Sequence, residues 1–466
     1  MMWAPHAAYI EPDRVFELVV QDLADRGIDD LLFAGFVGST ALYLPISAFD
    51  SHGYIVGPSR SGKTARALAP LLTQLIRFGK RVWVFDCKPD LALWGHLSVE
   101  AAKAGRNATM FSLYPGVPGD FSLDVFSDLA DRSPRGVATH LMSALSLDGA
   151  KEQFFSDTNR ACLSDGVDAA RKKGVLCLKS LLKEILRMRR AYPHAQHALN
   201  AIQMLSREPM LNTPSTARTV ESLASSDEVV YFCVPVASEA GEIGKAVANL
   251  VLRLVVLSQR ESAIRGRPRE RLYAAVDEFQ DLATAGDIRD ILAQASGHNV
   301  SLILSHQSKA QVQDRALTGE LRQAGVQIDF SPIDDGQYWM ERSGQVIREF
   351  WSGTAFREQS DFRIDWSDLN DVARTSGVAI VDSPHVPPDL CLPQAAYMPF
   401  HVSMSEAKRR EQLFRLRVSA PASQPSRATL GRPIQRLAKS GGSQEPDKLA
   451  DLYAKLKRET LFPPIH

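Results

Sequence analysis

Short, almost uninterrupted apolar runs recur along the chain: GYIV ending at Val56, RVWVFD (81–86), VVYFCV (229–234), LYAAVDE (272–278), VSLILS (300–305) and VAIVD (378–382). They are rich in β-branched and aromatic residues and do not alternate with polar ones. This is the pattern of strands buried on both faces, and it predicts the core of a mostly parallel sheet. Helical periods separate them. Ala65, Leu68, Leu71, Leu72, Leu75 and Ile76 recur at helical spacing directly after Thr64. The stretch 126–225, between RVWVFD and VVYFCV, is dominated by helical periodicity in RGVATHLMSAL, FFSDTNRACLSDGVDAARKKG, LKSLLKEILRMRRAY and AQHALNAIQML. A hundred residues are too many for one crossover helix, so this segment is expected to be an inserted all-helical subdomain.

The two ends read differently. Leu31 to Phe49 carries no charge over 19 residues, long enough for a membrane span, but Gly35, Gly38, Ser39, Thr40, Pro45 and Ser47 dilute its hydrophobicity. Short strands and turns beside the first long strand are expected instead, with no membrane anchor in the chain and no secretory signal. From Ser419 the chain is poor in apolar residues and rich in Pro, Ser and Gly, a linker composition. Beyond it, Leu449, Leu452, Tyr453 and Leu456 fall on one face of a short amphipathic helix. Such a tail either docks on a partner or packs on its own domain. The expected division is an N-terminal helix and short strands (1–50), a first α/β part (51–125), the helical insert (126–225), a second α/β part (226–400), a helical end with flexible linker (401–446) and a C-terminal helix (447–460).

Composition narrows the class only a little. The chain has 466 residues, 45% of them hydrophobic, enough for two or three domains. Lys plus Arg and Asp plus Glu both number 54, so any surface for nucleic acid has to be a local patch. Cys87, Cys162, Cys177, Cys233 and Cys391 are scattered without a C-x-x-C pair, which argues against a metal or disulfide framework and for a reducing cytoplasm.

The chemistry sits at the ends of the strands. Gly57-Pro58-Ser59-Arg60-Ser61-Gly62-Lys63-Thr64 fits G-x-x-x-x-G-K-[ST], a loop whose backbone N–H groups wrap nucleotide phosphates. Gly57 and Gly62 permit the close approach, Lys63 reaches the β and γ phosphates of ATP, and Thr64 ligates Mg2+. Strand, loop and helix follow in the required order, with the helix dipole aimed at the phosphates. The partner of such a loop is an acidic pair ending a buried strand, and LYAAVDEF supplies it: Asp277 for the metal, Glu278 to polarise the attacking water. A P-loop kinase has no need of that adjacent glutamate, whereas a motor ATPase does. Gln307, after VSLILSH, either senses the γ-phosphate and lytic water or lies in a plain surface turn. The expected fold class is α/β, a RecA-like P-loop NTPase.

With these residues in place, the chain resembles the type IV coupling protein family of TraG-like conjugative DNA-transfer ATPases, within the FtsK/HerA P-loop superfamily. HGYIVGPSRSGKT looks like the family's Walker A, and Pro70 resembles the proline usual in the following helix. VWVFDCKPDL is similar to a D-x-K-x-[DE] strand on Asp86, Lys88 and Asp90, VDEFQDL to the Walker B, and LSHQSKAQVQD to the glutamine-bearing sensor segment. The likeness covers about 53–382 and includes the position of the helical insert.

The resemblance implies an ATP-hydrolysing, Mg2+-dependent DNA translocase or coupling protein acting as a homo-hexameric ring around DNA. Its partners would be a secretion channel, relaxosome or effector protein, with the chain cytoplasmic or held at the inner membrane through a partner. Most family members begin with transmembrane helices, which this chain is not expected to have. Arg289, Arg322 and Arg342 are candidates for the arginine a neighbouring subunit contributes. Basic residues between Arg171 and Arg190, and between Gln259 and Arg271, would line the DNA path or form solvated faces. Two other functions stay open: a soluble HerA-like helicase or translocase in repair or antiviral defence, and a nucleotide-switched ATPase whose cargo is protein.

Overall fold

The structure, a computed structural model, describes residues 12–38, 40–88, 91–147, 153–174, 176–236, 241–283, 288–312, 314–352, 355–384 and 393–398. Asp90, Cys391, the linker from Ser419 and the expected helix around Leu449 lie outside the described residues. Among the described residues eleven strands form one sheet: β1 (Leu31–Val37), β2 (Thr40–Pro45), β3 (Gly53–Val56), β4 (Arg81–Asp86), β5 (Ala108–Ser112), β6 (Val229–Cys233), β7 (Leu272–Asp277), β8 (Val300–His306), β9 (Val326–Asp329), β10 (Val378–Asp382) and β11 (Gln394–Tyr397). Their order is β2-β1-β11-β10-β9-β3-β8-β7-β4-β6-β5. The seven strands from β9 to β5 are parallel, and the four at the other edge join antiparallel.

The mostly parallel sheet expected from the apolar runs is present. VAIVD is a core strand, but it pairs antiparallel with β9. A strand buried on both faces has the same apolar run whichever way it points, so periodicity carries no sign for direction. The runs ATMFS, VQID and QAAY are too short or too polar to stand out and become strands through their neighbours. The hairpin Gln345–Ser352 with Ala355–Phe362 stands apart from the main sheet. Its charges at Arg348, Glu349, Arg357 and Glu358 interrupt any apolar run that would have marked it.

Helices cover both faces of the sheet. Behind the loop at Gly57, Lys63–Leu68 forms a widened π-type turn that runs into the α-helix Ala69–Arg77. Pro70 has no N–H to return to the preceding turn and its ring crowds the carbonyl there, which accounts for the widening. Leu68, Leu71, Leu72, Leu75 and Ile76 of this segment are buried against the sheet, each contributing about 1.5–3 kcal/mol of hydrophobic stabilisation. The helix Gly241–Ile264 buries the opposite face and carries the helical insert.

The insert comprises Pro134–Ala144, Gln153–Lys172, Leu178–Arg187, Gln196–Arg207 and Val220–Ala224, with a two-residue parallel ladder of Ser122–Leu123 and Ala217–Arg218 at its base. Asp128 fastens that base. Its two carboxylate oxygens accept from Val220 N at 2.7 Å and Glu221 N at 2.9 Å, while Thr219 caps Ser222 N at 3.0 Å. Three of the four backbone donors that a helix start leaves unpaired are thereby satisfied.

At the N-terminal side, Leu31–Val37 and Thr40–Pro45 are the short strands expected of the uncharged segment, preceded by the helix Pro12–Asp25. No helix among the described residues is long and apolar enough to cross a membrane.

Candidate functional site

The register of the parallel strands brings the chemistry together. Val56 lies level with His306, Ser305 with Asp277, and Asp277 with Asp86, so β3, β8, β7 and β4 end side by side. Loops leaving the carboxyl ends of parallel strands form the usual ligand crevice of open α/β sheets. Gly57 begins one of them, its N–H donating to the His306 carbonyl at 3.1 Å. A Cβ at Gly57 would lie 2.5 Å from Ser61 Oγ and 2.8 Å from Phe330 Cβ. Gly62 adopts φ 104° in the left-handed region, and Arg60 is left-handed too, at 69°. This tight curl is one that glycine permits and larger residues resist.

Lys63 emerges from the loop onto Glu278, Nζ to Oε1 at 2.8 Å, with both side chains buried. The Gln307 amide donates to the same oxygen at 3.0 Å, and Gln280 Nε2 donates to the other, Oε2, at 2.9 Å. Thr64 Oγ1 donates to Asp277 Oδ2 at 3.1 Å, while Ser305 Oγ at 2.7 Å and the Glu278 N–H at 3.1 Å hold Oδ1. Glu278 has φ 57°. This left-handed step turns Phe279 into the core, where its N–H meets the Ser305 carbonyl at 2.9 Å, and swings residue 280 back over the carboxylate.

The two neighbouring carboxyls are tuned in opposite directions. Burial pushes Asp277 up, and the adjacent Glu278 charge adds to it against the pull of Lys63, Ser305 and Thr64. Burial also acts to raise Glu278, but hydrogen bonds from Lys63, Gln307 and Gln280 outweigh it and hold that carboxyl low, as an ionised acceptor. Beside them His306 is fully buried, stacks on Tyr54 and bonds its hydroxyl at 2.7 Å. Desolvation and the Lys63 charge lower its imidazole to about 4, so it is neutral at physiological pH.

Thr64, Asp277 and Ser305 form an oxygen-rich corner of the kind a hard cation takes. No group of three or more His, Cys, Asp or Glu side chains able to hold a metal occurs among the described residues. A Mg2+ ion takes only one or two protein oxygens, because substrate phosphates and water complete its octahedron.

Lys63, Thr64, Asp277, Glu278 and Gln307 thus meet in one hydrogen-bonded cluster, and Pro58, Ser59, Arg60 and Ser61 form the loop above it. Asp86 is buried at the end of β4, accepting the Tyr231 hydroxyl at 2.5 Å and the Lys88 N–H at 3.1 Å. Of the arginine candidates, Arg322 is paired with Asp335 at 2.8 Å and Arg342 with Asp382 at 2.9 Å within this chain, while Arg289 is exposed. Ser305, Gln280, His306 and Tyr54 escaped the sequence reading. A serine and a histidine closing an apolar run were the available signal for two of them. Nothing local distinguishes Gln280 or Tyr54.

No protein-family model matches the sequence, and no curated protein matches it. Solved structures do match in fold. A bacterial conjugative coupling protein, TrwBdeltaN70 in an unbound monoclinic form, superposes with a TM-score of 0.59 at 14% identity, covering 80% of this chain and 89% of that one. TrwB in complex with the non-hydrolysable ATP analogue ADPNP gives 0.55 at 14%, covering 80% and 90%. TrwB with ADP and Mg2+ gives 0.55 at 13%, covering 80% and 89%. What is shared is the fold, a large, mostly parallel sheet of the P-loop NTPase type covered by helices.

Proposed function

We propose that this chain is an ATP-hydrolysing P-loop motor of the type IV coupling kind, moving or recruiting DNA or nucleoprotein for conjugative transfer. One observation carries the reading: the loop lysine, the strand-ending Asp277–Glu278 pair and Gln307 converge in a single cluster on a fold like that of TrwB. Lys63 and the loop N–H groups would bind the β and γ phosphates, and Thr64 with Asp277 would hold Mg2+. The ion, when bound, neutralises charge on the phosphates. Glu278, ionised and aimed by its hydrogen bonds, would take the proton of the attacking water, and Gln307, bonded to that carboxylate, would report the state of the γ-phosphate. The DNA partner, the six-membered ring and a channel, relaxosome or effector contact belong to the same reading and follow from the sequence resemblance alone.

The test is ATP hydrolysis by the full chain with and without single- and double-stranded DNA, at low and physiological salt. DNA-stimulated turnover is expected, lost in Lys63→Ala together with nucleotide binding. In Glu278→Gln turnover should fall by roughly 100-fold or more with ATP still bound. Turnover indifferent to DNA at every salt would remove the DNA motor and leave the protein-cargo ATPase.

A further inference from the structure

Glu278 is held at both oxygens. Oε1 accepts from Lys63 and Gln307, two groups already assigned to the phosphate end of the site, whereas Oε2 accepts from Gln280. Gln280 is itself buried, and its amide can point only one way, because turning its oxygen toward the carboxylate would set two acceptors against each other. In that orientation Gln280 Oε1 is buried with no hydrogen-bond partner among the described residues. A buried acceptor without a donor destabilises the fold, and so does the left-handed backbone of Glu278 that brings Gln280 into reach. A leucine or methionine would fill the same volume without the unsatisfied oxygen. Two unfavourable features therefore converge on one outcome, the direction of the Glu278 carboxylate.

We propose that Gln280 is a positioning residue of the hydrolytic centre, fixing the rotation of the Glu278 carboxylate through its Oε2. The inference rests on the ATPase reading above. Lys63 and Gln307 alone constrain one oxygen and leave the other to swing about it; Gln280 removes that freedom, the kind of alignment in which an error near 1 Å costs about 100-fold in rate.

Steady-state hydrolysis and equilibrium Mg-ATP binding would be measured on the full chain for wild type, Gln280→Met, Gln280→Asn, Gln280→His, Glu278→Gln and the Gln280→Met/Glu278→Gln pair. Gln280→Met, which keeps the volume and removes the donor, should lower kcat roughly 10- to 100-fold while the ATP Kd stays within about twofold. Gln280→Asn, which withdraws the donor by one methylene, should do the same and serves if the methionine variant does not fold. Gln280→His, which returns an N–H at similar reach, should recover much of the rate. The double variant should be no slower than Glu278→Gln alone, because the two act through one carboxylate. Wild-type kcat in both donor-removing variants, a loss shared equally by Kd, or losses that multiply in the pair would overturn the inference while Glu278→Gln still sustained the ATPase reading. Absence of turnover in wild type, or full turnover in Glu278→Gln, would overturn both.

Discussion

Ser305 illustrates how much a single hydroxyl can decide. It bonds Asp277 Oδ1 at 2.7 Å and so leaves Oδ2 toward Thr64, which fixes the face the carboxylate would offer to a cation. Ser305→Ala should therefore raise the Mg2+ concentration for half-maximal hydrolysis by roughly 10-fold with little change in ATP affinity at saturating metal, read from a Mg2+ titration. Asp128 offers a second residue-scale test. Burial raises its carboxyl to about 6 although two backbone N–H groups donate to it. A group protonated more readily when folded contributes stability that is complete below its unfolded pKa, near 4, and is lost as pH rises through 6. Wild type should thus lose stability relative to Asp128→Asn between pH 4 and pH 6.5, measured by urea unfolding.

Between elements, the segment after the P-loop is tied to the antiparallel edge through Arg66. Its guanidinium donates to the Met398 carbonyl at 2.7 Å, lies over the Tyr397 ring and runs past Gly377. Gly377 has φ 82°, and a Cβ there would sit 2.5 Å from Arg66 Nη1. Gly377→Ala should therefore lower stability by about 1–3 kcal/mol, detected as a lower Tm. Because Arg66 also packs on Gly62, 2.7 Å from where a Cβ would stand, the same variant should weaken nucleotide binding. None of these contacts is visible in the apolar runs. They depend on β11, a four-residue strand, QAAY, too short to form an apolar run, that takes its place between β10 and β1.

For the whole molecule, an overall charge of zero leaves the distribution to decide where an anionic polymer would lie. Both basic runs mix paired and unpaired charges. In the second, Arg265 pairs with Glu261, Arg269 with Glu221 and Arg271 with Asp50, at the end of the sheet opposite the P-loop, while Arg260 and Arg267 are exposed. In the first, Lys179, Lys183, Arg189 and Arg190 are exposed and have no ion-pair partner among the described residues. Replacing these four with alanine should reduce DNA stimulation of hydrolysis and lower the log–log salt slope by roughly 1 per lost phosphate contact, leaving hydrolysis without DNA unchanged. An unchanged slope would assign this face to solvent.

The sequence alone determined the strand-loop-helix unit at Gly57–Thr64, the acidic pair at Asp277–Glu278 and the presence of a large helical segment before Val229. Each is written in local spacing: glycines where a loop must curl, carboxylates where an apolar run stops, periods of 3.6 where helices cover a sheet. Tertiary structure decided the rest. Which strands are neighbours sets Ser305 beside Asp277 and His306 beside Val56, and the reversal at β10 follows from pairing that a doubly buried run does not encode. Gln280 became part of the site through one left-handed residue, since a backbone angle at Glu278 determines which side chain faces its carboxylate. Spacing records periodic burial; it does not record register or a single positive φ.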